Sequence, residues 1–169
     1  MPFSPIPRGV YPSVAQIDPK TLAQRGIRLV LADLDNTLAP YGETCPFPEI
    51  LAWKAGLEAE GIALFLLSNS RKPRRAEHFA KALGIPFLGH AGKPKSGGYL
   101  RAMERMGRTS AQTAMVGDQI FTDILGAKRT GMLALMVEPI QLAGNPGRYL
   151  RYAVEEPFRA LGRRRTRKE

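Results

Sequence analysis

The sequence predicts an α/β fold built on a mostly parallel sheet, and three features predict it. Five short apolar runs have the length of buried strands. Segments with the apolar spacing of helices lie between them. Proline opens and glycine closes several of those helices. A chain of 169 residues, 44% hydrophobic and 24% charged, has the size and composition of one globular domain and is long enough to bury a sizeable core.

Residues 1–26 contain Pro2, Pro5, Pro7, Pro12 and Pro19, so a mostly irregular segment is expected there, with a short helix starting at the Asp18-Pro19 cap. The core is expected over 27–145. Its first strand is 28–33, followed by a helix over 48–60 with Ile50, Leu51 and Leu57 on one face and Gly61 as its stop. The second strand is 62–67. The next helix, 73–83, carries Ala76, Phe79, Ala80 and Leu83 at helical spacing. A short strand at 86–88 precedes a helix from Ser96 to Met106 with Leu100, Met103 and Met106 turned inward. A strand at 113–116, a helix over 122–130 and a strand at 132–137 complete the alternation. An amphipathic helix is expected over 146–162, and 163–169 reads as a frayed basic tail.

No apolar run approaches the ~20 residues that a membrane span needs, and the opening Met1-Pro2-Phe3 lacks the look of a secretory signal. Cys45 stands alone, which excludes an internal disulfide and a cysteine-rich zinc site. The expected compartment is the reducing cytoplasm, with the inner membrane face as a peripheral location. The net charge is +10. Residues 148–169 hold eight Lys or Arg against three Glu, so half of the excess sits in the last 22 residues. Such an end attracts lipid headgroups, RNA or acidic proteins; the plainer alternative is a solubilising terminus with no fixed partner.

Chemistry-bearing residues fall at the expected strand ends, where ligands of open α/β sheets bind. Asp33 and Asp35 follow the first strand, Ser68 the second, Lys93 the third and Asp118 the fourth, with Asp123 five residues further on. Singly, each has an ordinary explanation as a turn, a helix cap or a solvated charge. Together they pose a charge problem, because two carboxylates at ~4 Å repel by about 4 kcal/mol at an effective dielectric of 20. Either some stay protonated or a hard divalent cation sits among them, and oxygen ligands suit Mg²⁺. A divalent cation, a lysine and a serine hydroxyl match a phosphate dianion. Asp33 could then attack phosphorus, with Asp35 as the proton donor and acceptor.

The motifs Asp33-x-Asp35-x-Thr37, Ser68, Lys93 and Gly117-Asp118-x₄-Asp123 resemble, in order and spacing, the four motifs of the haloacid dehalogenase (HAD) superfamily. The resemblance spans about 28–137 and is strongest to its small subfamily IIIA phosphatases of the YqeG type, extending toward phosphatidylglycerophosphate phosphatases. It implies a three-layer, Rossmann-like fold with a five-stranded sheet of order 3-2-1-4-5 and no cap domain. It also implies roles: Asp33 as nucleophile and metal ligand, and Asp35 as general acid/base and metal ligand through its backbone. Thr37, Ser68, Asn69 and Lys93 would hold or balance the phosphoryl group, Thr37 by way of the acid/base. Asp118 would bind the metal directly, and Asp123 directly or through water.

The resulting expectation is a Mg²⁺-dependent phosphatase acting through an aspartyl-phosphate on a phosphorylated lipid or metabolite. Between Thr37 and Pro48, and between Ser68 and Lys93, there is no room for a lid domain, so the site is expected to be open or covered by another subunit. The alternative from another class is an RNA- or ribosome-associated basic protein with a residual site, motivated by the same +10 charge.

Overall fold

The computed structural model describes residues 4–167; the first three residues and the last two of the basic tail, 168–169, lie outside the described residues. Six strands form one sheet: β1 (Gly9–Tyr11), β2 (Leu29–Ala32), β3 (Ala63–Leu67), β4 (Phe87–Leu88), β5 (Thr113–Gly117) and β6 (Leu133–Val137). Their order is β1-β6-β5-β2-β3-β4, with every neighbouring pair parallel. Helices α1 (Pro19–Gln24), α2 (Pro48–Ala59), α3 (Pro73–Leu83), α4 (Ser96–Met106), α5 (Leu125–Arg129) and α6 (Pro146–Thr166) complete the chain.

Alternation along the strands makes the layers. In β2, Val30 and Ala32 belong to one core with Leu22, Trp53, Leu57 and Phe79 from α1, α2 and α3. Leu29 and Leu31 belong to the other, with Tyr99, Met103 and Ala127 from α4 and α5. All four β2 residues are fully buried, as a central parallel strand covered on both faces requires. Helices therefore cover both faces, giving the three-layer arrangement expected.

The sheet has six strands, not the five expected. The order 3-2-1-4-5 is present as β4-β3-β2-β5-β6, and the sixth strand comes from the proline-rich N-terminal segment. There Gly9–Tyr11 pairs with Leu135–Val137 at the sheet edge, where proline-flanked strands are tolerated. The short helix at Asp18-Pro19 is present, and Asp18 accepts from the Lys20 and Thr21 amides. Leu51 and Leu100, expected inward, are 44% and 52% exposed; Trp53 and Tyr99 take the buried stripe instead. At the other end α6 runs to Thr166, taking in four residues of the expected frayed tail. Arg163 pairs with Glu138 and Glu156, and the Thr166 hydroxyl accepts from the Val10 amide at 2.8 Å.

From β2 the chain winds outward through β3 to β4, then returns through α4 to β5 on the other side of β2. The winding reverses between β2 and β5, and that reversal opens a crevice beyond their carboxyl ends. Ala32 is level with Val116, so the residues that follow each strand emerge side by side.

Candidate active site

Asp33 leaves β2 with its amide still donating to the Val116 carbonyl at 3.0 Å. The chain then turns sharply: the amides of Thr37, Leu38 and Ala39 all point to the Leu34 carbonyl at 3.1–3.3 Å, and Asn36 takes a left-handed φ of 59°, which asparagine tolerates. Asp35 therefore reaches the cleft through a tight turn. Ser68 ends β3, and its hydroxyl accepts from the Ser70 amide at 3.0 Å. Lys93 lies between β4 and α4. Asn69 grips its backbone from both sides, donating to the Lys93 carbonyl at 2.9 Å and accepting from its amide at 2.8 Å.

Asp118 follows β5. The next turn, Ile120–Ile124, is a wide π-helical turn that leads into α5, a feature often found at functional sites. It brings Asp123 under Gly117, where a Cβ would collide with the Asp123 carboxylate; glycine is required there by close approach.

These elements bring Asp33, Asp118 and Asp123 together, with carboxylate oxygens within 4.8 Å of one another. Lys93 Nζ donates to Asp33 Oδ1 at 2.9 Å and to Asp123 Oδ1 at 2.7 Å. Asp123 Oδ2 accepts from the Gln119 amide at 3.3 Å. Asp118 Oδ1 has one neutral partner, the Thr37 hydroxyl at 3.3 Å. All four charged groups are buried. One ammonium thus serves two of the three carboxylates, and the third is left with a neutral partner.

The electrostatics follow from that count. Burial, then the charges of Asp33 and Asp123, push the Asp118 carboxyl well above the usual carboxylate range. Burial raises Asp123 to about 6 although Lys93 opposes it. Burial by itself would lower the Lys93 ammonium, but the charges of Asp123 and Asp33 outweigh it and the group ends above its ordinary value. An all-oxygen donor set, buried and short of positive charge, is the chemistry that a hard divalent cation satisfies, so these residues fit a metal.

Asp35 stands apart from the cluster. It lines the same cleft of about 330 Å³ as Asp33, Ser68, Asn69 and Lys93, and its carboxylate is bound by Arg75 of α3. Burial raises its carboxyl, with Arg75 opposing. Arg75 also donates to the carbonyls of Glu43 and Pro40 at 2.7 and 3.0 Å. The sequence marks Arg75 as one of four basic residues after Ser68, with an exposed helix start as an equal explanation; only the packing of α3 singles it out. Thr37 rests on Asp118 rather than in the cleft. Gln119, Thr122 and Arg151 also line the cleft, and nothing local in the sequence points to them.

The sequence matches the haloacid dehalogenase-like hydrolase family over residues 14–131. It is 31% identical over 135 residues to "Probable phosphatase YqeG" of Bacillus subtilis (strain 168), covering 80% of this chain and 78% of that protein. It is 34% identical over 150 residues to the chloroplastic phosphatidylglycerophosphate phosphatase 1 of Chlamydomonas reinhardtii. That match takes in 83% of this chain but only 55% of the algal protein. Among solved structures, the cobalt-bound deoxy-D-mannose-octulosonate 8-phosphate phosphatase YrbI of Haemophilus influenzae superposes with a TM-score of 0.54 at 17% identity. The superposition covers 83% of this chain and 93% of that one, a likeness of fold. Strand order, the carboxylate cluster at the winding reversal and these matches agree, and the chain belongs to the haloacid dehalogenase-like hydrolase family as a phosphoric monoester hydrolase.

Proposed function

We infer that the chain hydrolyses phosphomonoesters with Mg²⁺ through an aspartyl-phosphate on Asp33. The observation that carries this reading is the buried set of Asp33, Asp118 and Asp123 around Lys93 at the carboxyl ends of β2 and β5. Mg²⁺ would be held by Asp33 and Asp118, with the Asp35 carbonyl and water-bridged Asp123, and would neutralise charge on the phosphoryl oxygens.

The remaining chemistry belongs to side chains. An Asp33 oxygen attacks phosphorus as the ester oxygen leaves. Asp35, whose carboxyl burial holds above its ordinary value, gives that oxygen its proton and then takes one from the water that cleaves the acyl phosphate. Lys93 keeps its charge against Asp33 and the phosphoryl group. Ser68 and the Asn69 backbone hold the remaining oxygens, while the Asn69 side chain fixes the position of Lys93. Thr37 orients Asp118.

The substrate reading is a phosphorylated lipid headgroup, phosphatidylglycerophosphate first. Two things support it: the name carried by the algal relative and a cleft over which no lid domain is inserted. An anionic membrane surface remains the proposed partner of the basic end. The case for RNA on the same end weakens, because Arg159 and Arg163 are engaged with Glu155, Glu138 and Glu156.

The test is hydrolysis of an aryl phosphate by purified protein with Mg²⁺. Asp33→Asn is expected to lower turnover about a thousandfold or more, the scale for losing a covalent nucleophile. Folded, metal-loaded wild-type protein that hydrolyses nothing across a broad phosphate panel would overturn the reading.

A further inference from the structure

Beside the cleft lies a second hollow. Asn36, Asp118 and Gln119 form one wall; Arg148, Arg151 and Arg159 of α6 form the other. The two hollows share Gln119 and Arg151, so a ligand in one continues into the other past those two side chains.

The arginines differ in how far their charge is already used. Arg151 is exposed and makes no hydrogen bond or ion pair among the described residues. Arg148 lies over the exposed Tyr41 ring at 4.6 Å, the ring that Arg75 also approaches at 5.9 Å. Arg159 is 2% exposed; one nitrogen donates to Glu155 at 3.1 Å and to the Asp118 carbonyl. Its Nε and Nη1 are buried with no hydrogen-bond partner, although Nη1 lies 3.5 Å from a Glu138 oxygen. Buried donors left unsatisfied are costly, and these two belong to a side chain that lines the hollow. Of the hollow's carboxylates, Glu155 is occupied by Arg159 and the Phe121 amide, and Asp118 belongs to the metal-binding cluster. The hollow is left with an excess of guanidinium charge, the geometry that recognises phosphate oxygens.

The geometry points to this hollow as a second anion subsite, through which α6 selects phosphomonoesters that carry a further phosphate-type group near the scissile one. The inference rests on the substrate reading above and adds to it the residues that would recognise the second phosphate-type group. Helix α6 then does what a lid domain does in a larger enzyme: it supplies the contacts that tell one phosphomonoester from another.

The matched probes are glycerol 3-phosphate, which has one phosphate, and glycerophosphoglycerol phosphate, which places a phosphodiester one glycerol away from the same kind of ester. The readout is the ratio of their kcat/KM values. The wild type is expected to prefer the second probe at least tenfold. Arg151→Ala is expected to collapse that ratio about tenfold, mostly through KM, with Arg151→Lys in between. Arg108→Ala, an exposed charge at the opposite end of the sheet, serves as the control and should leave the ratio in place. A diacylated probe in mixed micelles separates sources. If only the lipid form is preferred, acyl contacts select the substrate and the subsite is overturned. A ratio near one in the wild type, or one that Arg151→Ala does not move, also overturns it while leaving the phosphatase intact. Hydrolysis of neither probe, nor of any aryl phosphate, overturns the phosphatase reading itself.

Discussion

Two polar clusters, one partly exposed and one buried, lie near each other in this fold, and they are built on opposite principles. Around α6, each carboxylate has a guanidinium: Glu155 pairs with Arg159 at 3.1 Å, and Glu138 and Glu156 pair with Arg163 at 2.5 Å each. At the ends of β2 and β5, Lys93 serves two of three carboxylates, and the third, Asp118, has only a threonine hydroxyl on its carboxylate among the described residues. The first arrangement gives every acid a cation and fastens a helix to the sheet, with only Arg159 Nε and Nη1 left over as donors. The second is short of positive charge, and the shortage is what makes it a site. Buried charge left in deficit costs stability that a structural cluster would not retain, so the deficit reads as a place kept for a cation and a phosphate.

Substitutions can break or sharpen that contrast. The largest effect is expected at Lys93→Met, which leaves Asp33 and Asp123 without their shared partner. We expect kcat/KM to fall at least a hundredfold, together with about 3–5 kcal/mol of stability read from chemical denaturation. A variant with near-normal turnover would place Lys93 with the structural pairs. Glu155→Gln comes next. It strips Arg159 of its nearest carboxylate, and about 2–3 kcal/mol should be lost in the same measurement. A loss below about 0.5 kcal/mol would mean that the α6 cluster is not a fastening. The smallest effect is Thr166→Val, which removes the hydroxyl that bonds the Val10 amide and carbonyl across the sheet edge. About 1 kcal/mol is expected, visible as a lower denaturation midpoint; no shift would show that the end of α6 is not held to β1.

The same contrast explains what could be read in the sequence. Strands β2, β3, β5 and β6 are legible because a strand buried on both faces is a short, unbroken apolar run; β4, two half-buried residues at the sheet edge, is legible from its place in the alternation. Helices α3 and α4 begin and end where proline, glycine and periodicity put them. Strand β1 is not legible, since Gly9-Val10-Tyr11 acquires its partner, Leu135 to Val137, only from the far end of the chain. Leu51 and Leu100 mislead because hydrophobicity does not say which side of a narrow stripe a residue takes; Trp53 and Tyr99 occupy it. The placing of Asp33, Ser68 and Asp118 is legible because strand ends are fixed by the strands, whereas Lys93 lies beyond the end of β4 and is held in place by Asn69. Arg75 is half legible, one of four basic residues after Ser68 that only the packing of α3 tells apart; Arg148 and Arg151 are not legible, because their place depends on how α6 packs and among twenty-five Lys and Arg they carry no local mark.

The charge deficit is tested most directly by thermal unfolding of EDTA-treated protein at pH 5 and pH 7, with and without Mg²⁺. Burial, reinforced by neighbouring acids, raises Asp118, and burial raises Asp123 to about 6. The unfolded chain releases those protons near pH 4. Between about pH 4 and 6 the native state therefore holds protons that the unfolded state has lost, so metal-free stability falls as pH rises through that window and stays low at pH 7. The expected result is a lower Tm at pH 7 than at pH 5, restored by several degrees on adding Mg²⁺, with Asp118→Asn starting higher at pH 7 and responding little to the metal. A wild-type Tm indifferent to both pH and Mg²⁺ would contradict the existence of a cation site among these carboxylates.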